Sequence, residues 1–577
     1  MNHKKRGTAS AVEEVALKRL GVKSKEEIND WFRKSYAGLY TINGIDKAIE
    51  IIDSQKWDRI DIEGDYDIDG ATAVSQGELV LSELGYPVHY DVPRRHTEGF
   101  GLNIRMIQDI PDGNNLIITV DNGIAAIEAV ALAKKRGFTV IVTDHHEPVI
   151  EDGKIILPDA DLIIDPHVTG ADYTEYCGSG IMYKLLCHLL DKKMTEPISE
   201  TSYKKIQAIK AIILPLAMMG TIGDVVELRE ENYVIAKNGL KKLEKRVATA
   251  GMIALHDKLW ITNPTASDIG FKSGPCINAN GRLHDNGAMK SVELLACMDY
   301  RKAATLVDMA IANNNLRKQQ VEAGMKQAEQ IIEDNHMQED LPMVVYLPGI
   351  NEGIIGILAG KLREKYGTVA LVFTDSHTPG LLKGSGRSID DVDLKGFLDE
   401  LQKYFVTYGG HKGAAGLTLK EEQLCKMRKA SMELASQKGY QKEVIDTLYY
   451  DLVIRAEDIP TALEQQMPFA PFGNGNEPIV YKITGFTLLP GKDGKLKGRV
   501  GENGSKLNSQ WAQAIGFGLA DRVEITQSTT FTLYGTLSYN YFKGEQIPQV
   551  EFVDFEEEAP GKAVTPLMAA LLKKAKK

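Results

Sequence analysis

Asp65-Tyr66-Asp67-Ile68-Asp69-Gly70 is the stretch on which the reading of this chain turns. It closes a short alternating segment, Arg59-Ile60-Asp61-Ile62, predicted to be a strand, and leads into a helix predicted to begin near Ala71. Three carboxylates so close in sequence repel one another unless a cation lies among them, and hard divalent cations take oxygen ligands. The same pattern opens an EF-hand calcium loop. That loop needs a Glu at its twelfth position, where this chain has Gln76, and a helix before it, where this chain has a strand. The calcium loop is excluded. For this stretch alone, a solvated acidic turn stays open.

Two further stretches weigh against the empty turn. Leu116-Ile117-Ile118-Thr119-Val120 is an apolar, β-branched run ending in Asp121-Asn122-Gly123, and Val140-Ile141-Val142-Thr143 is another, ending in Asp144-His145-His146. Each predicted strand delivers its first polar groups at its C-terminal end, the edge at which parallel α/β sheets bind ligands. Met219-Gly220-Thr221-Ile222-Gly223-Asp224-Val225-Val226 brings one more Asp after an apolar run. Asp and His together suit Mn²⁺ or Mg²⁺ better than a cysteine-based zinc site.

The 577 residues are enough for three or four domains. Five scattered cysteines without a Cys-x-x-Cys pair argue for a reducing compartment and against a disulfide framework or zinc ribbon. The basic start, Met1-Asn2-His3-Lys4-Lys5-Arg6, has no apolar region behind it, so no signal peptide is expected. The most apolar stretch, Ala211 to Val226, is broken by Pro215 and falls short of a membrane span. A cytoplasmic protein is expected. The net charge of −11 speaks against a nucleic-acid partner only weakly, because a groove reads local charge. Basic residues collect at Arg317 and Lys318, at Lys492, Lys495, Lys497 and Arg499, and in Lys573 to Lys577.

The expected order is a helical extension (1–50), a parallel-sheet α/β catalytic domain (51–298), a connecting helix (299–340), a second α/β domain (341–444), an OB-like β-barrel (445–558) and a tail (559–577). In the first domain Ile124 to Arg136, ended by Gly137, has the length of a crossover helix. In the second, Met343 to Tyr346 and Thr368 to Phe373 read as strands around a helix from Ile354 to Tyr366. Glycines 384, 386, 409, 410, 413 and 416 would let backbone N–H groups approach an anion, with Arg387 and His411 adding charge and hydrogen bonds. Five short predicted strands between Ile479 and Phe555 fit an OB barrel, with Tyr539, Tyr541 and Phe542 as stacking candidates.

Asp-Tyr-Asp-Ile-Asp-Gly, Val-Asp-Asn-Gly, Asp-His-His and Gly-Asp-Val-Val, in this order, resemble the DHH phosphoesterase superfamily. Gly274-Pro275-Cys276-Ile277-Asn278-Ala279-Asn280-Gly281-Arg282-Leu283, Lys383-Gly384-Ser385-Gly386-Arg387-Ser388 and Gly409-Gly410-His411-Lys412-Gly413 narrow the resemblance to its RecJ-type exonucleases, from about residue 50 to 555. It implies a single-strand-specific 5′→3′ DNA exonuclease of repair and recombination, using two divalent ions, Mn²⁺ or Mg²⁺, and releasing 5′-mononucleotides. Asp121 would bridge the ions; Asp67, Asp69, His145 and Asp224 would complete the two ligand sets, with Asp65 as an additional ligand. Glu63 stands where relatives outside this branch carry a ligand His, so Asp65 or Glu63 would substitute for it. Asp144 is expected to orient a neighbouring histidine, and His146 to contact the scissile phosphate. Asn278 and Arg282 would line the substrate channel, Arg being suited to gripping phosphate. Ser385, Arg387, Gly409, Gly410 and His411 would hold substrate phosphate in the DHH-associated domain.

The partner expected is single-stranded DNA, with a single-strand-binding protein or a repair helicase as protein partners of a monomer. A small-substrate DHH phosphodiesterase acting on short oligonucleotides or cyclic dinucleotides is the alternative; it predicts a chain lacking residues 450 to 555. A non-enzymatic member would have lost the ligands that this chain keeps.

Overall fold

The computed structural model describes residues 2–95, 97–151, 153–443, 447–487, 498–499, 505–508, 511–516, 524–525, 530–542 and 545–558. The chain divides into two compact units, one of residues 34–226 and 230–445, the other of residues 1–33, 227–229 and 446–577.

The larger unit holds two sheets. Strands β1 (Arg59–Glu63), β2 (Val88–Asp91), β3 (Asn115–Val120), β4 (Thr139–Thr143) and β5 (Leu162–Ile164) form a wholly parallel sheet in the order β2-β1-β3-β4-β5. All six residues of β3 are buried, as expected of a central strand covered on both faces. Strands β6 (Met343–Tyr346), β7 (Ala370–Asp375), β8 (Leu381–Arg387), β9 (Phe405–Gly410) and β10 (Ala414–Lys420) form a mixed sheet in the order β9-β10-β8-β7-β6, parallel only between β6 and β7.

Helices α1 (Ile68–Glu83), α2 (Ile127–Lys135), α3 (Gly178–Thr195), α4 (Glu200–Gly223) and α5 (Gly274–Leu283) belong to the parallel-sheet domain. Helix α6 (Tyr300–Asp334), capped by the Asp299 carboxylate, is the connecting helix, and α7 (Ile355–Tyr366) and α8 (Leu424–Gln437) pack in the second domain. Helix α1 begins three residues earlier than the sequence suggested, because the Asp67 side chain caps it by accepting the Asp69 and Gly70 N–H groups. Helix α4 passes a length-and-composition test for crossing a membrane, yet 56% of its apolar window is buried inside the protein. It continues through Pro215 and ends at Asp224.

The smaller unit is a six-stranded sheet, from β11 (Leu452–Arg455) through β12 (Tyr481–Thr487), β13 (Ser505–Asn508) and β14 (Gln513–Gly516) to the long hairpin of β15 (Thr530–Phe542) and β16 (Glu545–Glu557). The five strands expected, Ile479 to Ile483, Lys497 to Val500, Ala514 to Phe517, Thr530 to Leu537 and Gln549 to Phe555, correspond to β12, a short strand Gly498–Arg499 paired with Glu524–Ile525, β14, β15 and β16; β11 and β13 are additional. The N-terminal residues are not helical throughout: Asn2–Lys5 is a strand, paired in parallel with Thr447–Tyr450. His3 stacks on Tyr534 with ring centroids 3.8 Å apart, and Arg19 meets Asp451 at 2.6 Å. Lys492, Lys495, Lys497 and Lys573 to Lys577, and the side chains of Arg499 and Phe542, lie outside the described residues.

Candidate metal centre and phosphate-binding edge

The C-terminal ends of β1, β3 and β4 lie side by side in register, so the loops that follow them meet. After β1 the chain turns tightly into α1; a side chain on Gly70 would collide with the Asp65 backbone. After β3, Asp121 adopts a left-handed φ of 63°, strained for a non-glycine residue and tolerated best by Asp and Asn. Neighbours enforce it. Asn122 donates to the Glu63 and Val120 carbonyls and accepts from Leu102 N–H, while Gly123 packs where a Cβ would strike Thr119. After β4, the buried Asp144 accepts Ile124 N–H (2.9 Å), the N–H of both histidines that follow it, and His146 Nδ1 (2.7 Å).

The N-terminus of α3 completes the edge. Asp69 is fully buried and accepts the N–H groups of Gly178 (2.7 Å) and Ser179 (2.9 Å), where a helix terminus favours negative charge. Gly178 allows this approach, since a Cβ there would collide with Asp121. Asp224, at the C-cap of α4, faces His145 from the other side, with 3.9 Å between Oδ2 and Nε2.

Three sets of ligand atoms each lie within 4.8 Å of one another: Asp65, Asp67 and Asp121; Asp69, His145 and Asp224; and Asp121, His145 and His146. Asp121 joins the first set to the imidazoles, its Oδ1 standing 3.0 Å from His145 Nε2. All seven residues named in advance as metal or catalytic groups are therefore brought together. Glu63 is not in these sets; its carboxyl is buried with Asp61 and near Asp91 and Arg105, and its Oε2 has no hydrogen-bond partner. The alternation of β1 puts it on the other course, alongside Asp61.

The electrostatics of the cluster ask for cations. Burial, reinforced by the Asp67 charge, raises Asp65 to about 7. Burial and the charges of Asp69 and Asp67 raise Asp224 to about 8, and burial with four neighbouring carboxylates holds Asp121 well above the ordinary range. Burial lowers His145, which keeps its imidazole neutral and able to donate a lone pair to a metal. Burial disfavours the His146 imidazolium, but Asp144 outweighs it and lifts that group to about 9. His146 is thus a cation, with 57% of its side chain exposed. The carboxylate-and-imidazole donor set, in two groups joined by Asp121, fits a pair of hard divalent ions. Such ions, when bound, neutralise a phosphate and activate a water.

The second domain supplies cations. Arg387 Nη1 donates to Ser385 Oγ (3.2 Å), and both approach Gly356 in the first turn of α7, an anion-favouring terminus. Arg282, half-buried at the end of α5, donates to the Gly353 carbonyl (3.4 Å); desolvation and the neighbouring Arg95 lower it to about 10. Asn278 Oδ1 is buried without a partner. Gly410 has φ 146°, and a side chain there would strike Ala414, while Gly409 and Gly416 face open space. At Gly384 and Gly386 side chains would strike Phe373, Leu371 and Leu394, so close core packing also calls for glycine there. His411 is lowered by burial and by Arg387.

One group was missed from sequence. The Arg95 guanidinium lies 4.3 Å from the Tyr66 ring centroid and 5.8 Å from that of Phe100, and its Nη1 is buried without a partner. The signal available was the paired Arg94-Arg95 shortly after a strand, followed by Glu98-Gly99-Phe100-Gly101.

Fold and site together define a DHH phosphoesterase: the model of the DHH family, N-terminal domain, matches residues 59–221, and the DHHA1 domain matches 341–437. A third match, the RecJ OB domain, covers 450–554. The single-stranded-DNA-specific exonuclease RecJ of Salmonella typhimurium is 33% identical over 72% of this chain and 73% of its own length. That of Bacillus subtilis is 32% identical over 88% of this chain, which spans 62% of the relative's length. The chain belongs to the RecJ single-stranded-DNA-specific exonuclease family. RecJ of Thermus thermophilus in complex with Mn²⁺ shares the fold, with a TM-score of 0.73 at 22% identity over 99% of this chain and 83% of that one.

Proposed function

We propose that this chain is a metal-dependent exonuclease that hydrolyses single-stranded DNA from its 5′ end. The observation that carries the reading is an all-carboxylate set joined through Asp121 to a carboxylate-and-imidazole set, with the polar edge of Arg282, Ser385 and Arg387 in the same compact unit. Asp65, Asp67 and Asp121 hold one ion, and Asp69, Asp121, His145 and Asp224 the other, with Mn²⁺ or Mg²⁺ as the metals the donors suit. Asp144 fixes His146, whose positive charge faces the scissile phosphate. Asn278, Arg282, Ser385, Arg387, Gly409, Gly410 and His411 hold the strand's phosphates. Domain limits at 298, 340 and 444 separate cutting, connection and phosphate holding. The enzyme works in the cytoplasm as a monomer, with a single-strand-binding protein or a repair helicase as its partner class. The alternative of a small-substrate phosphodiesterase is disfavoured by the OB match.

Digestion of 5′-labelled and 3′-labelled single strands with Mn²⁺ or Mg²⁺ tests this directly. Early release of the 5′ label as mononucleotide is expected. Release from the 3′ end, or equal rates on blunt duplex, would overturn it.

A further inference from the structure

Phe271 is 81% exposed, a poor place for an aromatic ring in a residue that contributes nothing to the core. It sits on a π-helical turn, Ile269–Ser273, that runs without a break into α5. Such turns are rare and recur at functional sites. Ile269 and Ser273 are buried and anchor the turn, while Gly270 beside Phe271 faces open space, so the ring is held out from a fixed base.

Its place relative to the metal loop is set by close packing. The Gly274 position that ends the π turn is 3.3 Å, measured from an ideal Cβ, from Ile68 Cδ1, and the Gly223 position, measured likewise, is 2.5 Å from Ile68 Cγ2 and 3.0 Å from the same Cδ1. Ile68 stands between Asp67 and Asp69, and Gly223 precedes Asp224. At the other end of α5, Gly281 packs against Tyr66, next to Arg282. The helix therefore runs alongside the Asp65–Asp69 loop, with Arg282 at one end and Phe271 beyond the other. Eleven residues separate Phe271 from Arg282, about 16 Å along the helical run. Between these ends lies Asn278, whose buried Oδ1 has no partner. Val225, next to Asp224, is 62% exposed and held at a left-handed φ of 63°.

We propose that Phe271, with Val225 beside the metal edge, is a stacking platform for a nucleobase of the single strand, a few nucleotides from the phosphate held by Arg282. The proposal rests on the reading of the chain as a single-strand nuclease and adds a specific contact to it. An exposed ring on a rigid base takes any base, which suits a sequence-tolerant enzyme.

The test uses the full chain with Mn²⁺ and strands carrying 2-aminopurine singly at each of the first five positions, blocked from cleavage by phosphorothioate linkages. Wild type should quench the fluorophore strongly at one position near the 5′ end. Phe271→Ala should lose that quenching and raise KM for a long cleavable strand about 5- to 150-fold, with kcat changing less than KM. Phe271→Trp should restore both. Being exposed, the position tolerates these changes, which thermal melting verifies. Equal quenching and equal KM in wild type and Phe271→Ala would overturn the platform. A wild type that neither binds nor cuts single strands would remove the nuclease reading itself, a distinct result.

Discussion

The acidic edge and the glycine loop of the larger unit are built on opposite plans. The acidic edge after β1, β3 and β4 is buried and over-determined: Asp121 is strained, Asn122 ties three segments together, and Asp69 is pinned by two backbone N–H groups. The Gly409-Gly410-His411 loop between β9 and β10 is exposed, held mainly by its strand pairing and by the fit of Gly410 against Ala414. Placing like charges a few ångströms apart costs stability, so their positions must be fixed by the fold before the metal arrives. A loop that grips phosphate needs only reach and open N–H groups, and rigidity there would hinder passage of the strand.

Removing one member from each plan should separate the two. Asp121→Ala takes away the group shared by the ligand sets, and kcat should fall by roughly 10³-fold or more, with the fold preserved by circular dichroism. Arg387→Ala removes a phosphate partner and leaves the carboxylates intact. Its KM for single strands should rise about 10- to 100-fold, the order of lost charge-assisted hydrogen bonds, and the salt dependence of binding should become shallower by about one charge. Comparable losses in kcat from both variants would erase the distinction.

The acidic edge also predicts a pH signature that the phosphate loop lacks. Asp65, near 7, and Asp224, near 8, keep protons in the metal-free native state that the unfolded chain gives up near 3.8. The native state then binds more protons across that window, which His146, near 9, extends, so stability of the metal-free protein should fall as pH rises from about 4 to about 9 and level off above. Mn²⁺ should abolish the fall, and the Tm gain on adding it should grow with pH. Melting curves in chelator and in Mn²⁺ read this out; a Tm gain independent of pH would contradict the raised carboxylates.

Glu63 supplies the smallest effect and the sharpest boundary. Burial raises it well above the usual range, which favours its uncharged form. Glu63→Gln is nearly isosteric with that form, so metal affinity and turnover should change little. A large loss of metal affinity would return Glu63 to the ligand set.

Much of the site was legible because Asp121 and Asp144 each follow an apolar β-branched run, a pattern that strand burial enforces, and because three carboxylates crowd the turn after β1. What escaped depends on contacts that sequence order hides. Asp224 looked like a residue after an apolar stretch and is in fact the cap of a long helix that carries Pro215 inside it. Gly384 and Gly386 read as anion glycines, and nothing local showed that Phe373, Leu371 and Leu394 also fill the space where their side chains would be. Residues 1–33 were assigned to an N-terminal extension, but they share a compact unit with residues 446–577 through a parallel strand pair spanning more than four hundred positions. No local periodicity reports such a pairing, and a truncation meant to remove the OB domain must also account for Asn2–Lys5.

The central claim is that Asp121 joins two metal sites. Titration of the metal-free protein with Mn²⁺, followed by electron paramagnetic resonance, tests it most directly. Wild type should take up two ions per chain with the broadened spectrum of a coupled pair, and Asp121→Asn, which tolerates the same backbone conformation, should lose the coupling. A single uncoupled ion in wild type, or an unchanged coupled pair in Asp121→Asn, would contradict it.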